Sequence, residues 1–405
     1  MRGARNKLRT ALWVSALAYV MLFGYSIARP AAESLFLERY GSAALPKVWV
    51  AVAVTAVIVV AIYNRAAARY SLVHVLLGTI AASATSLVVL LLAARSFPIA
   101  SFALYVWKDV HIVVLLEILW SFANVVFETR TARWTYGLFC AAGTLGSFSG
   151  NMAVGKLAAA FGTAQSLWLL LIVFTLLALL GTALGKAALD PRPKTPTAQG
   201  LGRIGVREGV SLLRGSRYLG VLLLLVGTVQ LVVNLIDFQY SGLLEQTYVD
   251  TDARTAVIGQ VYGVIDVSSL LLQFATGAIL RYVGFRKTML AIPVLLGGCV
   301  IAGIIAPTFT IVAVTKIASK TLDYSLFRAA KELLYIPLSY AEKTRGKALV
   351  DMLTYRVSKA GASLLVAGLL RAGAALSYGT VVLIGAWGAL AYVVAGRYRR
   401  LTRDG

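Results

Sequence analysis

Residues 316–363 read KIASKTLDYSLFRAAKELLYIPLSYAEKTRGKALVDMLTYRVSKAGAS, and their pattern decides how the fold is interpreted. The first part of this stretch is apolar-rich but carries Lys316, Lys320 and Asp323 at steps of four and three residues. A helix places residues at that spacing on one face, which Lys331 continues. Ionisable side chains inside a membrane-spanning helix cost several kcal/mol, so they normally face one another or a water-filled cavity. The stretch therefore predicts a helix that lines a substrate or ion path.

A second apolar-rich segment follows a short basic turn and likewise contains charged residues. It carries Asp351, Arg356 and Lys359 at positions that a lipid-facing helix would not tolerate. Arginine presents a planar fork of donors that suits phosphate or carboxylate groups, which favours Arg356 and also Arg29 as anion-binding residues. The two segments together are the predicted working site.

The composition indicates a polytopic membrane protein. Of the 405 residues, 59% are hydrophobic and only 14% are charged, far from the balance of a soluble domain. This length accommodates about a dozen spans of roughly 20 residues each. The formal net charge of +22 is dispersed between apolar runs, which favours anionic lipid headgroups or an anionic substrate as partners rather than nucleic acid.

The apolar runs predict an all-α membrane protein with twelve transmembrane helices in two six-helix bundles, the layout of the major facilitator architecture. The bundles are residues 1–184 and 219–405, and a basic, proline-containing linker, residues 185–218, joins them. The twelve predicted spans are approximately residues 10–27, 46–63, 72–93, 103–127, 137–160, 165–184, 219–240, 256–280, 288–305, 311–335, 347–370 and 378–395.

The basic residues lie in alternate loops, in the linker and at both termini, whereas the opposite loop at residues 245–252 is acidic. The positive-inside rule therefore predicts cytoplasmic termini. Helical spans indicate a plasma membrane or a bacterial inner membrane. In the fifth span the small residues Gly143, Gly146 and Gly150 predict close helix packing. We expect a monomer.

No pattern in the sequence indicates an enzyme. A nucleophile elbow, a phosphate-binding glycine loop and metal-ligand spacing are all missing from the sequence, and we expect neither a cofactor nor a metal. The two cysteines, Cys140 and Cys299, lie in different halves of the chain and form no disulfide framework.

Residues 324–361 contain an ordered block of short motifs. The motifs are Tyr324-Ser-Leu-Phe327, Lys331-Glu332, Tyr335-Ile-Pro-Leu338, Gly346-Lys-Ala348, Val350-Asp351 and Lys359-x-Gly361. In their order and spacing they resemble the ATP/ADP translocase family of plastids and obligate intracellular bacteria. The resemblance continues upstream through residues 212–219 and 234–238, and it thins in the first half to residues 25–29 and the surroundings of Glu117.

The resemblance implies exchange of a nucleotide across a membrane by alternating access, without chemistry. It implies functional acids at Glu117 and Asp237, and functional lysines at Lys331, Lys347 and Lys359. In the first helix this chain departs from the family pattern. The family has a lysine three residues after an arginine, where Arg29 is here followed by Ala32.

The residues and the resemblance together define the candidate site. The alternative for each basic residue is a structural ion pair between helices or a side chain that snorkels to the interface. The predicted substrate-binding residues are Arg29, Lys108, Lys316, Lys320, Lys331, Arg356 and Lys359. The predicted coupling or gating residues are Glu117, Asp237, Asp323 and Asp351.

Three functions remain open on the sequence. The first is exchange of a nucleotide or a related phosphorylated anion. The second is proton-coupled transport of another small molecule, in which a buried carboxylate such as Glu117 or Asp237 carries the proton. The third is a lipid-handling relative whose basic lining meets lipid headgroups.

Overall fold

A computed structural model describes residues 2–94, 96–126, 129–186, 215–338, 347–371 and 375–403. Within these ranges it describes all side chains except those of residues 2–8, 125–126, 129–134, 186, 347–349, 351–357 and 401–403. Every regular element in the described ranges is a helix. The prediction of an all-α protein is therefore confirmed for this part of the chain.

Long helices follow one another with short connections. A helical turn at Thr163–Ser166 and a 3-10 turn at Leu167–Leu169 precede the sixth helix. The helices are α1 (Arg2–Tyr40), α2 (Leu45–Arg69), α3 (Leu72–Ala93), α4 (Ile99–Val126), α5 (Thr129–Phe161), α6 (Leu170–Lys186), α7 (Arg217–Thr247), α8 (Thr251–Tyr282), α9 (Phe285–Ile305), α10 (Phe309–Leu322), α11 (Arg328–Leu334), α12 (Lys347–Arg371) and α13 (Leu376–Arg403).

In the described residues, nine helices are long and apolar enough to cross a membrane, namely α1 to α4, α6 to α9 and α13. The chain is therefore an integral membrane protein. The other long elements, α5, α12 and the α10–α11 segment, are not among the nine. Both α10 and α12 belong to the charged stretch in which the sequence predicts the working site.

Helix α1 continues through Pro30 as far as Tyr40. A proline inside a helix removes one backbone hydrogen bond, which transmembrane helices tolerate because neighbouring groups satisfy the freed carbonyl. The continuation places Arg29 and Glu33 one turn apart on the same helix. Because the helix does not end at Pro30, both charged side chains lie on one packed helix.

The chain divides into two compact units. Unit 1 comprises Met1–Gly41, Val54–Gly200 and Tyr248–Asp266. Its apolar core is drawn mainly from α1, α3, α4 and α6. Helix α5 packs against α1 so closely that a Cβ atom at Gly146 would overlap the carbonyl oxygen of Tyr19. Close packing through the small residues of α5 is confirmed.

Unit 2 comprises Ser42–Ala53, Leu201–Thr247 and Val267–Gly405. Its separate apolar core is drawn from α7, α9, α13 and the segment between α10 and α12. Between α10 and α11 the backbone forms a π-helical turn, Asp323–Phe327, in the sequence DYSLF. Turns of this kind are rare within α-helices and frequently lie at functional sites.

Two acidic residues at the junction of α7 and α8, Glu245 in the last turn of α7 and Asp252 in the first turn of α8, bind the starts of other helical segments. Glu245 Oε2 accepts a hydrogen bond of 2.7 Å from the backbone N–H of Ser42 in unit 2. In unit 1, Asp252 Oδ1 accepts from the backbone N–H of Thr163 at 2.7 Å and from its hydroxyl at 2.6 Å. The first N–H groups of a helical segment have no partner within it, so these carboxylates stabilise the segment starts.

We expect Asp252→Ala to lower the free energy of unfolding by about 1–3 kcal/mol, because Thr163 is buried and its backbone N–H would lose the carboxylate that accepts from it. Thermal unfolding in detergent measures this as a lower transition temperature. Asp252→Asn is the control, because its amide oxygen still accepts a hydrogen bond. Equal stability of the alanine variant and the wild type would contradict the capping role.

Candidate functional site: two buried lysine–carboxylate clusters

Two lysines of α10 converge on one carboxylate of α7 in unit 2. Lys320 Nζ lies 2.6 Å from Asp237 Oδ2, and Lys316 Nζ lies 3.6 Å from Asp237 Oδ1. Their separation by four residues places both lysines on one face of α10, as the sequence predicts. Lys316 is only 2% exposed, so its charge is held almost entirely away from solvent.

A tyrosine ring completes the surroundings of Lys316. Tyr240 lies one turn after Asp237 on α7, and its ring centroid is 3.9 Å from Lys316 Nζ. An aromatic face attracts a cation at this distance, and the attraction strengthens when the cation is desolvated. Helix α7 therefore supplies both a carboxylate and an aromatic face to the same buried ammonium group.

Other predicted site residues lie around this pair. Lys359 of α12 is close enough to Asp237 for the two charges to attract one another. Asp323, in the π-helical turn, accepts hydrogen bonds from Gln230 Nε2 at 3.3 and 3.4 Å and interacts electrostatically with Lys320 and Lys331. The charged residues of three segments far apart in sequence are thus gathered in one part of unit 2.

The charge balance of this cluster favours an anionic ligand. Among the described side chains, the three lysines around Asp237, which are Lys316, Lys320 and Lys359, outnumber the two aspartates, Asp237 and Asp323. Buried ammonium groups make charge-assisted hydrogen bonds with anions, so a group of lysines of this kind is suited to an anionic ligand. We name this cluster, Asp237, Lys316, Lys320 and Lys359, the unit 2 lysine cluster.

Unit 1 contains a similar arrangement around Lys108 of α4. Its Nζ atom lies 2.9 Å from Asp109 Oδ1 and 3.5 Å from Glu33 Oε1 of α1. The ring centroid of Tyr105 is 3.9 Å from the same atom, and Lys108 is 1% exposed. Each unit therefore buries a lysine against a tyrosine ring and a carboxylate from another helix. The proportions differ, because two carboxylates share Lys108 whereas two lysines share Asp237.

Arg29 is held between two aromatic rings of unit 1. Its guanidinium carbon lies 3.3 Å from the ring centroid of Tyr262 on α8 and 5.2 Å from that of Tyr25. Its Nε atom is buried and has no hydrogen-bond partner among the described residues. The opposite charge of Asp266, one turn after Tyr262, attracts the guanidinium. The arginine is thus positioned by aromatic and electrostatic contacts, and its Nε donor has no acceptor in the part of the chain that the structure describes.

The remaining predicted residues lie elsewhere or outside the described side chains. Glu117 of α4 is exposed and lies near Tyr63 of α2, and the ion pairs of Lys108 are with other carboxylates. The side chains of Asp351 and Arg356 lie outside the described part, as does that of Lys347. Their roles stay predictions.

The sequence interpretation missed several partners of the predicted residues. Glu33 and Tyr105 at Lys108 were not predicted, nor was the pairing of Asp266 with Ser147 and Asn151. A signal existed for Glu33, because it follows Arg29 by four residues on a helical pattern. No local signal identifies Asp266 as a partner of α5, because the two segments are more than a hundred residues apart.

Comparison with known proteins identifies the family. The model of the TLC ATP/ADP transporter family matches residues 80–311 and 297–395, well over half of the chain. The chain belongs to the TLC ATP/ADP transporter family. The resemblance predicted from the motifs in residues 316–363 is therefore confirmed.

Curated relatives of this TLC family member are ADP,ATP carrier proteins of Chlamydia and Rickettsia. ADP,ATP carrier protein 1 of Chlamydia pneumoniae is 28% identical over 337 residues, which cover 72% of this chain and 65% of the carrier. ADP,ATP carrier protein 1 of Chlamydia muridarum is 27% identical over 317 residues, 68% of this chain and 59% of the carrier. ADP,ATP carrier protein 3 of Rickettsia bellii is 24% identical over 306 residues, which cover 63% of this chain and 60% of the carrier. The TLC chain thus matches less than two thirds of each carrier's length.

Solved transporter structures share the fold of the TLC chain. The nucleoside transporter NupG superposes with a TM-score of 0.71 at 12% identity, covering 97% of this chain and 99% of that chain. The POT family transporter PepTSo superposes with a TM-score of 0.68 at 12% identity, covering 98% of this chain and 98% of that chain. At such low identity these likenesses concern the fold alone.

Proposed function

We propose that this TLC family member exchanges a nucleotide of the ATP/ADP type, or a related phosphorylated anion, across the membrane by alternating access. The observation that carries the proposal is the unit 2 lysine cluster, where Lys316 and Lys320 converge on Asp237 beneath the ring of Tyr240. Membership of the family and the names of the curated relatives support a nucleotide as the anion.

The cluster suits a ligand that must bind and leave repeatedly. While no anion is bound, Asp237 neutralises part of the lysine charge and prevents two ammonium groups from being buried without a partner. A phosphate group offers several acceptor oxygens and makes charge-assisted hydrogen bonds with the same ammonium groups. The anion therefore competes with Asp237 for the lysines, which limits affinity and permits release.

The same proposal covers the architecture that the sequence predicts. We propose that α5, the α10–α11 segment and α12 also cross the membrane, which gives twelve spans in two six-helix bundles of residues 1–184 and 219–405. We further propose that residues 185–218 form a cytoplasmic linker, that both termini are cytoplasmic, and that the protein is a monomer of a bacterial inner membrane.

The other predicted residues keep proposed roles at the transport path. Arg29, Lys108, Lys331, Lys359 and Arg356 are proposed substrate contacts. Glu117, Asp323 and Asp351 are proposed coupling or gating residues. Asp237 is better suited to gating than to carrying a proton, because two lysines hold it as the ionised form.

Counter-exchange in vesicles tests the proposed function. Purified protein is reconstituted into liposomes loaded with ADP, and uptake of external labelled ATP is followed. We expect rapid uptake that depends on internal ADP and continues when the pH gradient across the membrane is dissipated. Empty liposomes and liposomes loaded with a neutral sugar are the controls.

If no nucleotide is taken up but a different anion is exchanged, a nucleotide is excluded as the substrate. The proposal that the unit 2 lysine cluster binds an anion would still be supported. Movement of fluorescent lipid between leaflets without uptake of any soluble anion would instead identify a lipid-handling protein.

A further inference from the structure

We propose that Asp266 takes up one proton when an anion binds at Arg29, so that anion binding in unit 1 is coupled to proton binding. The inference rests on the proposed function, because it takes the transported anion as the ligand of Arg29. Asp266 is distinct from the predicted coupling residues, which are Glu117, Asp237, Asp323 and Asp351.

Asp266 is held by neutral donors of α5. Its Oδ2 atom accepts a hydrogen bond of 2.7 Å from Ser147 Oγ and one of 2.8 Å from Asn151 Nδ2. Its Oδ1 atom takes no part in these two hydrogen bonds. The contrast with Asp237 is direct, because ammonium groups lie against both oxygens of that carboxylate. Neutral donors tolerate a carboxyl group in either protonation state, whereas two ammonium groups retain it as the anion.

Asn151 supplies an acceptor for the proton. Its side chain is 1% exposed, and its Oδ1 atom is buried with no hydrogen-bond partner among the described residues. The amide nitrogen of the same group already donates to Asp266. A protonated Asp266 would donate its O–H to Asn151 Oδ1, which completes an acid–amide pair with two hydrogen bonds. The buried acceptor is then satisfied, which removes a desolvation penalty present in the ionised form.

Arg29 links this carboxyl group to an anion. The ionised form of Asp266 attracts the guanidinium, which stacks on Tyr262 and keeps its Nε donor unused. An anion that binds the guanidinium brings a second negative charge close to Asp266. Two like charges in a low-dielectric interior repel strongly, and a proton from bulk water on Asp266 relieves the repulsion.

The neighbouring titratable groups are less suited to this role. On α1, Glu33 also attracts the guanidinium but is paired with Lys108, and the ring of Tyr25 lies 5.2 Å from the guanidinium carbon. On α4, His111 stacks on Trp107 at a centroid distance of 4.2 Å and lies 6.3 Å from the ring of Tyr25. On α8, the ring of Tyr262 is covered by Arg29, and α5 contributes the neutral Ser147 and Asn151. Asp266 is therefore the group whose protonation the surroundings favour.

Calorimetry of ADP and pyrophosphate binding in two buffers of different ionisation enthalpy measures the protons taken up per ligand. We expect about one proton for the wild type after correction for the ligand's own titration, and about none for Asp266→Asn. An asparagine keeps an oxygen that accepts from Ser147 Oγ and Asn151 Nδ2, and its amide N–H replaces the proposed O–H as the donor to Asn151 Oδ1, so the variant should preserve the fold. His111→Asn is the control, and it should retain the proton uptake of the wild type.

Infrared difference spectra between neutral and acidic pH provide a second readout that needs no ligand. We expect the carboxylic-acid C=O absorption of the wild type to contain a component that Asp266→Asn removes and Asn151→Leu shifts. Identical spectra for the wild type and Asp266→Asn would overturn the proposal, as would anion binding with equal proton uptake in both proteins. A third outcome is that ADP does not bind, while pyrophosphate binds with proton uptake and the Asp266 component is present in the spectrum. This result would reject the nucleotide as the ligand but support the coupling of anion binding to protonation.

Discussion

Lys320→Ala is expected to weaken ADP binding by about 10- to 100-fold, because the variant loses a charge-assisted contact worth about 1.5–3 kcal/mol. Lys320 lies 2.6 Å from Asp237, and its side chain is 13% exposed against 3% for Lys316. It is therefore the lysine of the unit 2 lysine cluster that an incoming phosphate group reaches more easily. Titration calorimetry of the detergent-purified protein measures the dissociation constant directly.

Two further variants distinguish a binding role from a structural one. Lys320→Arg keeps the charge and should retain most of the affinity. Lys156→Ala removes an exposed lysine of α5 and should leave the dissociation constant unchanged. The thermal unfolding temperature is measured for each variant, because Lys320 also neutralises Asp237. An unchanged ADP dissociation constant in a folded Lys320→Ala protein would show that the cluster is a structural ion pair.

Gly146→Leu is expected to prevent the protein from folding, because no side chain fits between α1 and α5 at this point. A Cβ atom at Gly146 would overlap the backbone carbonyl oxygen of Tyr19, and one at Gly150 would overlap that of Phe23. Overpacking usually costs about 1–3 kcal/mol when side chains can shift, but here the obstacle is backbone. The helices must separate, and the loss of α1–α5 packing would exceed that range.

The yield of monodisperse protein in size-exclusion chromatography measures this effect. Gly143→Ala is the matched control on the same helix, because its Cβ atom would meet Leu22 Cγ at an ordinary 3.7 Å. We expect near wild-type yield for Gly143→Ala and little or no monodisperse protein for Gly146→Leu. Normal yield and stability of the leucine variant would mean that α1 and α5 do not approach as closely as the structure shows.

Much of the site follows from spacing within single helices. Lys316 and Lys320 are separated by four residues, so any helix places them on one side, whatever surrounds it. Their position in an otherwise apolar run requires a polar partner or a cavity, and the structure supplies Asp237. The small residues of α5 similarly predict a close neighbour, because small side chains permit backbones to approach.

The identities of the partners do not follow from spacing. Asp237 lies about eighty residues before Lys316, and Asp266 more than a hundred residues after Ser147. Glu33 joins Lys108 only because α1 continues as a helix through Pro30 and packs beside α4. Each of these pairings depends on the angle and depth at which two helices pack.

The amino-acid sequence alone determined that this is an integral membrane protein of helices, that it resembles the ATP/ADP translocase family, and that a charged face interrupts residues 316–363. These properties depend on composition and on the helical period, which are local. The tertiary structure alone decided that one aspartate is shared by two lysines in unit 2, whereas two carboxylates share one lysine in unit 1. The reason is physical, because a buried charge is stabilised by whichever opposite charge the packing brings within a few ångströms, and that distance is not encoded in any single segment.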